Sequence, residues 1–293
     1  MMITITPTQP FHFAHSLNFL RMFKPMSGEH VIANGSLTKA LMLNGQAIWV
    51  TVRADGNQMI VNHAEAATVS ATQIGERVRF WLSLDDDLSA FYALAQDDAV
   101  FAPIVKSLYG YHQVKFTTPF ENAIWAILSA RNPIPMAQRM KRALMEAFGK
   151  SITVDGVTHW AFPEPQQMLH SDETELNRII GNMAMGAQKS RYMMSAVRHF
   201  ANIDEHWLRS GDYDAVEAWL RTINGIGPWS ANFIMLRGLG RMDRVPLAEK
   251  AILTSLSRVY NQGKAMPPDA VRALGERYGV WQGYWAHYLR VGG

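Results

Sequence analysis

Two glycines and a proline set between two apolar runs, in LRTINGIGPWSANFIMLRG at residues 220–238, restrict this chain more than any other stretch. Helical spacing in AVEAWLRTI (215–223) predicts one helix and PWSANFIMLRG (228–238) a second. Pro228 falls at the first position of that second helix, where a missing N–H costs nothing. Gly225 and Gly227 leave the joining NGIG turn bare of side chains. Its backbone N–H groups, with the unpaired donors and positive dipole end of the second helix, can therefore approach an external anion such as a nucleic-acid phosphate. Taken by itself, GIG fits an ordinary helix–helix turn equally well.

The stretch lies late in a chain of 293 residues, a length that favours two domains. Ahead of it, KALMLN (39–44), QAIWVTVR (46–53) and QMIVNH (58–63) read as strands, separated by Asn44-Gly45 and Asp55-Gly56, pairs suited to tight hairpins. RVRFWLSL (77–84) reads as a further strand and LSAFYALAQDD (88–98) as a helix. The expected fold class is an α+β N-terminal domain with an antiparallel sheet over 1–112, followed by an all-helical domain over 113–293. In the second part Ala123, Ile124, Ile127 and Leu128 share a helix face, MAQRMKRALMEAFG ends at Gly149 as a C-cap, and short connections link the helices that follow.

Composition narrows the chemistry. Without cysteine the chain makes no disulfide, thiolate nucleophile, cysteine-ligated zinc or cysteine-held iron–sulfur cluster. Ten scattered histidines offer no ligand cluster, so no side-chain metal site is expected. Residues 1–112 hold seven Lys/Arg against nine Asp/Glu and residues 113–293 twenty-one against sixteen, so the second part carries +5 of a net +3, a distribution suited to a polyanion. The start MMITITPTQPFHFAHSL lacks a signal-peptide pattern and no apolar run reaches membrane-spanning length, so a soluble cytoplasmic protein without a membrane partner is expected.

The stretch LRTINGIGPWSANFIMLRG resembles the helix-hairpin-helix of the DNA glycosylase superfamily, in the branch of bacterial 3-methyladenine DNA glycosylase II. FENAIWAILSARNPI, FPEPQQML, GNMAMGAQKSRYMMSAV and WLSLDDDLSAFYALAQDD resemble other segments of that branch in the same order. The resemblance implies that Gly225, Ile226, Gly227, Trp229 and Ser230 grip the backbone of double-stranded DNA, often with a Na+ or K+ ion on hairpin carbonyls. No redox or nucleotide cofactor is implied, and the protein is expected to be a bacterial, nucleoid-associated monomer. Trp229 stands where members with lyase activity carry a lysine, which points to base excision without strand cleavage.

In DRVPLAEKAIL, Asp243, Val245 and Pro246 fall in register with the family pattern, and Glu249 occupies the place of its catalytic aspartate. A carboxylate there can stabilise positive charge on the sugar and orient water. The arm is one methylene longer, and a misplacement of about 1 Å can cost roughly a hundredfold. Alternatively, Glu249 is a solvated first-turn helix acid. An extruded base also needs a stacking pocket, for which Trp125, Phe233, Tyr284 and Trp285 are candidates beside Trp229. Ala130 and Arg131 replace family glutamines that probe the opened duplex; Arg131 either takes over that contact or forms a surface salt bridge. Gln282 and Gly283 replace a C-terminal arginine and serine, while Arg237, Arg241, Arg244 and Lys250 are candidates to flank the bound backbone. The expected activity is monofunctional excision of alkylated purines in base excision repair. The alternative is a catalytically weak or inactive lesion-binding protein of the same fold.

Overall fold

A computed structural model describes residues 1–181, 186–247 and 249–293; residues 182–185, within the expected helix pair GNMAMGAQKSRYMMSAV, lie outside the described residues, as does Ala248. The N-terminal part contains β1 (Met2–Ile5), α1 (Phe13–Met22), β2 (His30–Ala33), β3 (Ser36–Leu43), β4 (Gln46–Asp55), β5 (Gln58–His63) and α2 (Ala71–Leu82). Next come α3 (Ser89–Gln96), α4 (Ala102–Ser107), α5 (Pro119–Ser129), α6 (Ile134–Phe148), β6 (Lys150–Val154), β7 (Val157–Ala161) and α7 (Pro165–Met168). The chain continues through α8 (Glu173–Ile179), α9 (Gly186–Phe200), α10 (Glu205–Ser210), α11 (Tyr213–Thr222) and α12 (Pro228–Ile234). It closes with α13 (Lys250–Tyr260), α14 (Pro268–Glu276) and α15 (Gln282–Gly292).

The five strands form one antiparallel sheet in the order β1-β5-β4-β3-β2. Its register is set by two-residue turns. At Asn44-Gly45 both residues take positive φ, 51° and 69°, the twist that joins Leu43 to Gln46 without splaying the strands.

Two expectations are corrected. Residues 77–84 are not a strand: Ile74, Val78, Trp81 and Leu82 are buried at helical spacing, and Ser70 with Gln73 closes a capping box ahead of α2. The alternation of Val78, Phe80 and Leu82 is incidental to that longer period. The second part is also not purely helical, because β6 and β7 pair as a hairpin across Asp155-Gly156 (φ 48° and 78°). Gly149 does precede it at the end of α6, but in extended conformation (φ −78°, ψ −172°); a Cβ there would lie 2.3 Å from the Ala161 carbonyl oxygen, so close approach is what demands glycine.

One apolar core runs through both parts, joining Leu37, Val50 and Trp81 to Trp125, Met193 and Ala231. A second joins Leu88, Phe91, Tyr92 and Phe101 of the α3–α4 region to Tyr284, Trp285 and Tyr288 of α15. Between sheet and helices lies a buried charge cluster. Lys39 of β3 meets Glu29 at 3.0 Å, and Lys141 of α6 meets Glu29 at 2.5 Å and Glu121 of α5 at 2.7 Å. Glu164 further ties the β3–β4 turn to the helical side, accepting the Asn44 and Gly45 N–H groups at 3.1 and 2.7 Å. Among the described residues no helix is long and apolar enough to cross a membrane.

Candidate active site

The two helices predicted around NGIG are α11 and α12, and α12 runs on into a π-helical turn over Met235–Leu239. Between them the hairpin is pinned by Ile226 N–H donating to the Ile223 carbonyl (3.0 Å) and Asn224 N–H donating to Ser195 Oγ of α9 (3.1 Å). The two glycines differ. Gly225 takes φ +88°, and a Cβ there would lie 2.4 Å from the Tyr192 ring, so both conformation and packing require glycine. Gly227 has φ −89°, and a Cβ built on it would meet nothing within 4 Å. Among the described residues nothing demands glycine at 227 and no side chain caps α12, so its first-turn N–H groups are left open to solvent or a ligand.

A cavity of about 470 Å³ opens against this hairpin, lined by Ile127, Ala130, Arg131, Lys189, Tyr192, Arg221 and residues 223–227. The structure thus brings Arg131, expected either to contact DNA or to form a surface salt bridge, to the same face as Gly225, Ile226 and Gly227. Arg131 is exposed and in left-handed backbone conformation, φ +57°. Trp229 is 38% exposed and stacks on Phe233 with ring centroids 5.3 Å apart and planes at 6°. Ser230 and the Ile226 side chain are buried and the Ile226 N–H is already bonded to Ile223, so of these two only the Ser230 backbone could meet an external anion.

Three aromatic candidates sit elsewhere. Trp125 is buried in the first core. Trp285 is buried in the second, stacked on Tyr278 with its indole N–H donating to Tyr260 Oη (3.0 Å). Tyr284 is buried, donating to Asp86 and accepting the Gln113 N–H. Their faces are taken up by packing, so of the aromatic candidates only Trp229, lying over Phe233, presents an exposed ring.

Glu249 stands at the N-cap of α13, its N–H donating to the Pro246 carbonyl at 2.9 Å. Its side chain is 12% exposed, and the carboxylate is ion-paired with Arg290 of α15. Behind them lies Arg237, on the π turn. It is fully buried, against the expectation that it flanks a bound backbone. Its guanidinium packs over Phe19 and Phe23, 4.5 and 4.7 Å from the ring centroids, with Nη1 3.4 Å from His287 Nε2. Burial lowers the Arg237 pKa to about 10, with the Arg290 charge pushing it the same way and the Glu249 carboxylate opposing. Burial, then Arg237 and Arg290, push His287 well below the ordinary histidine range, so that ring is neutral at physiological pH. The carboxylate therefore faces a cationic wall in which arginines alone carry charge.

Among the remaining basic candidates, Arg241 donates to the Gly211 carbonyl (2.8 Å) and pairs with Asp243 (3.2 Å), and Arg244 binds Asp214 through two nitrogens (2.7 and 3.0 Å). Lys250 is exposed. Gly283 has a packing reason: a Cβ there would lie 2.7 Å from Met242 Cα, and its N–H donates to the Met242 carbonyl. Arg290, His287 and Lys189 were not legible as site residues. Each meets its partners through helix packing between distant segments; only the shared face of His287 and Arg290 on α15 hints at a joint role.

The family model "HhH-GPD superfamily base excision DNA repair protein" matches residues 124–279, and the chain belongs to that family. A DNA-3-methyladenine glycosylase of Bacillus subtilis is 26% identical over 98% of this chain and 95% of its own length. DNA-3-methyladenine glycosylase 2 of Escherichia coli is 27% identical over 53% of this chain and 52% of its own. Among solved structures, a 3-methyladenine DNA glycosylase from Archaeoglobus fulgidus superposes with a TM-score of 0.82 at 17% identity, covering 99% of this chain and 97% of that one. The fold is thus that of the helix-hairpin-helix glycosylases.

Proposed function

We propose that this protein is a monofunctional DNA glycosylase that releases alkylated purines from duplex DNA by hydrolysis of the N-glycosidic bond. The observation that carries the reading is the Glu249 carboxylate, held at the start of the helix that follows the hairpin. The B. subtilis and E. coli relatives support the substrate class through their activity as 3-methyladenine glycosylases. The hairpin, open at Gly227, takes a backbone phosphate; Trp229 over Phe233 stacks on the extruded base; Arg131 enters the opened duplex. An alkylated purine is already cationic and a good leaving group, so the protein has only to stabilise charge on the sugar and align water, which Glu249 does once Arg290 yields. Trp229 at the lysine position leaves no amine there for a Schiff base, so the product is an intact strand with an abasic site.

A Na+ or K+ ion would be held by hairpin carbonyls, the oxygen donors that residues 223–227 offer besides the Asn224 amide. The enzyme works as a cytoplasmic monomer on double-stranded DNA. One observation favours a second reading, a lesion-binding protein with little catalysis: Arg290 neutralises Glu249 in the free protein.

The test is release of bases from methylated duplex DNA by the parent protein, Glu249→Gln and Glu249→Asp. The expected outcome is release by the parent, reduced about a hundredfold or more in Glu249→Gln. Duplex binding without release by the parent, with release gained in Glu249→Asp, supports the second reading instead.

A further inference from the structure

Helix α5 ends without a glycine cap. After Ser129 the chain passes through Ala130 (φ −57°, ψ 119°) into Arg131 at φ +57°, a conformation that is unfavourable for a residue with a Cβ. Something must hold it. The last-turn carbonyls of a helix lack intrahelical partners, and here three oxygens converge on one buried ammonium from another element. Lys189 of α9 donates from Nζ to the carbonyls of Ile127 (2.7 Å), Leu128 (3.2 Å) and Ala130 (2.8 Å). Asn132 Nδ2 adds a second donor to the Leu128 carbonyl at 2.9 Å.

We propose that Lys189 is a positioning residue for DNA: its ammonium clamps the end of α5 so that the left-handed Arg131 faces the cavity beside the hairpin. The proposal rests on the reading of that face as the duplex-binding surface.

The charges around the clamp connect it to a polyanion. Helix α5 presents carbonyls to Lys189, the turn after it presents Arg131, and α11 contributes Arg221 to the same cavity, with Gln188 and Tyr192 from α9 itself. Among the described residues no carboxylate pairs with Lys189. Burial, then Arg131, lower its pKa to about 8. An ammonium offers three N–H donors to three carbonyls; the neutral amine offers two, and its lone pair faces the third oxygen. Deprotonation as pH rises through 8 thus releases one strut of the turn, and a phosphate near Arg131 and Arg221 favours the charged, fully bonded form. Duplex binding and Lys189 protonation support each other.

The test measures affinity for a short duplex carrying a stable abasic-site analogue, at pH 7 and pH 9.5, for the parent, Lys189→Met, Arg131→Ala and the double variant. At pH 7 each single variant is expected to bind about tenfold more weakly, and the double no more weakly than the worse single. Parent affinity is expected to fall several-fold more between the two pH values than that of Lys189→Met. Additive single effects, or parallel pH dependence of parent and Lys189→Met, overturn the proposal. If Lys189→Met does not fold, the parent's affinity should fall several-fold more between pH 7 and pH 9.5 than that of Arg131→Ala, and equal falls in the two overturn the proposal equally. No duplex affinity in the parent sinks the glycosylase reading and this inference together, whereas affinity insensitive to Lys189 sinks this inference alone.

Discussion

Glu249 and Arg290 form a pair whose halves were unequally visible. The acid is marked by the resemblance of DRVPLAEKAIL to the family pattern, a match over a few neighbouring residues, whereas Arg290 reaches it only through the packing of α13 on α15. Removing one partner strands the other in a largely desolvated place. Arg290→Gln is therefore expected to lower stability by about 1–3 kcal/mol, read as a lower denaturant midpoint at unchanged m-value. Adding Glu249→Gln should recover part of that loss, because both charges leave together. A double variant no more stable than Arg290→Gln means that the ion pair is not what holds this corner. Trp229 and Trp285 look alike in sequence, and only their neighbours make one an exposed platform and the other a core side chain.

The hairpin is the element in which local chemistry speaks most directly, because glycine position, proline at the first helical residue and flanking apolar spacing all refer to one turn. Its two glycines separate folding from binding. Gly225→Ala meets both a positive φ and the Tyr192 ring, and should cost about 2 kcal/mol or more in thermal unfolding. Gly227→Ala has ordinary φ and open space, and should stay within about 1 kcal/mol of the parent. It should nevertheless weaken duplex binding and flatten its salt dependence, since the new methyl stands where a phosphate approaches. Equal losses of stability in the two variants would contradict this division of labour. Elsewhere local patterns misled. The apolar alternation at 77–84 masked a helix because Ile74 and the capping box lie outside that window. Asp155-Gly156 is a local hairpin signal that the all-helical reading of 113–293 passed over; its strands gain their place by packing Ala161 against Ala40 and Met42 of the N-terminal sheet.

For the whole molecule, the buried cluster of Lys39, Glu29, Lys141 and Glu121 joins sheet to helices and makes the joint sensitive to acid. Burial alone would raise the Glu121 carboxyl, but Lys141 and Lys39 outweigh it and hold the group well below the ordinary carboxylate range. The sign follows from linkage. The depressed folded-state pKa contributes stability that is fully present above the unfolded value of about 4.3 and is lost as pH falls below it toward the folded value. Stability of the parent should therefore decline below about pH 4.5, and Glu121→Gln should be less stable at neutral pH with a shallower acid limb; a limb of equal slope in both would place the acid sensitivity elsewhere. The residue order by itself determined the antiparallel sheet, most of the helices of the second part and the hairpin, because turns, caps and apolar periods act over a few neighbouring residues, and the resemblance to the glycosylase family singled out Glu249. Only the tertiary structure decided that Arg290 closes on that acid, that Lys189 clamps the Arg131 turn and that one core spans both parts. Those contacts join segments far apart in the chain, and their energies exist only once packing has excluded water from between them.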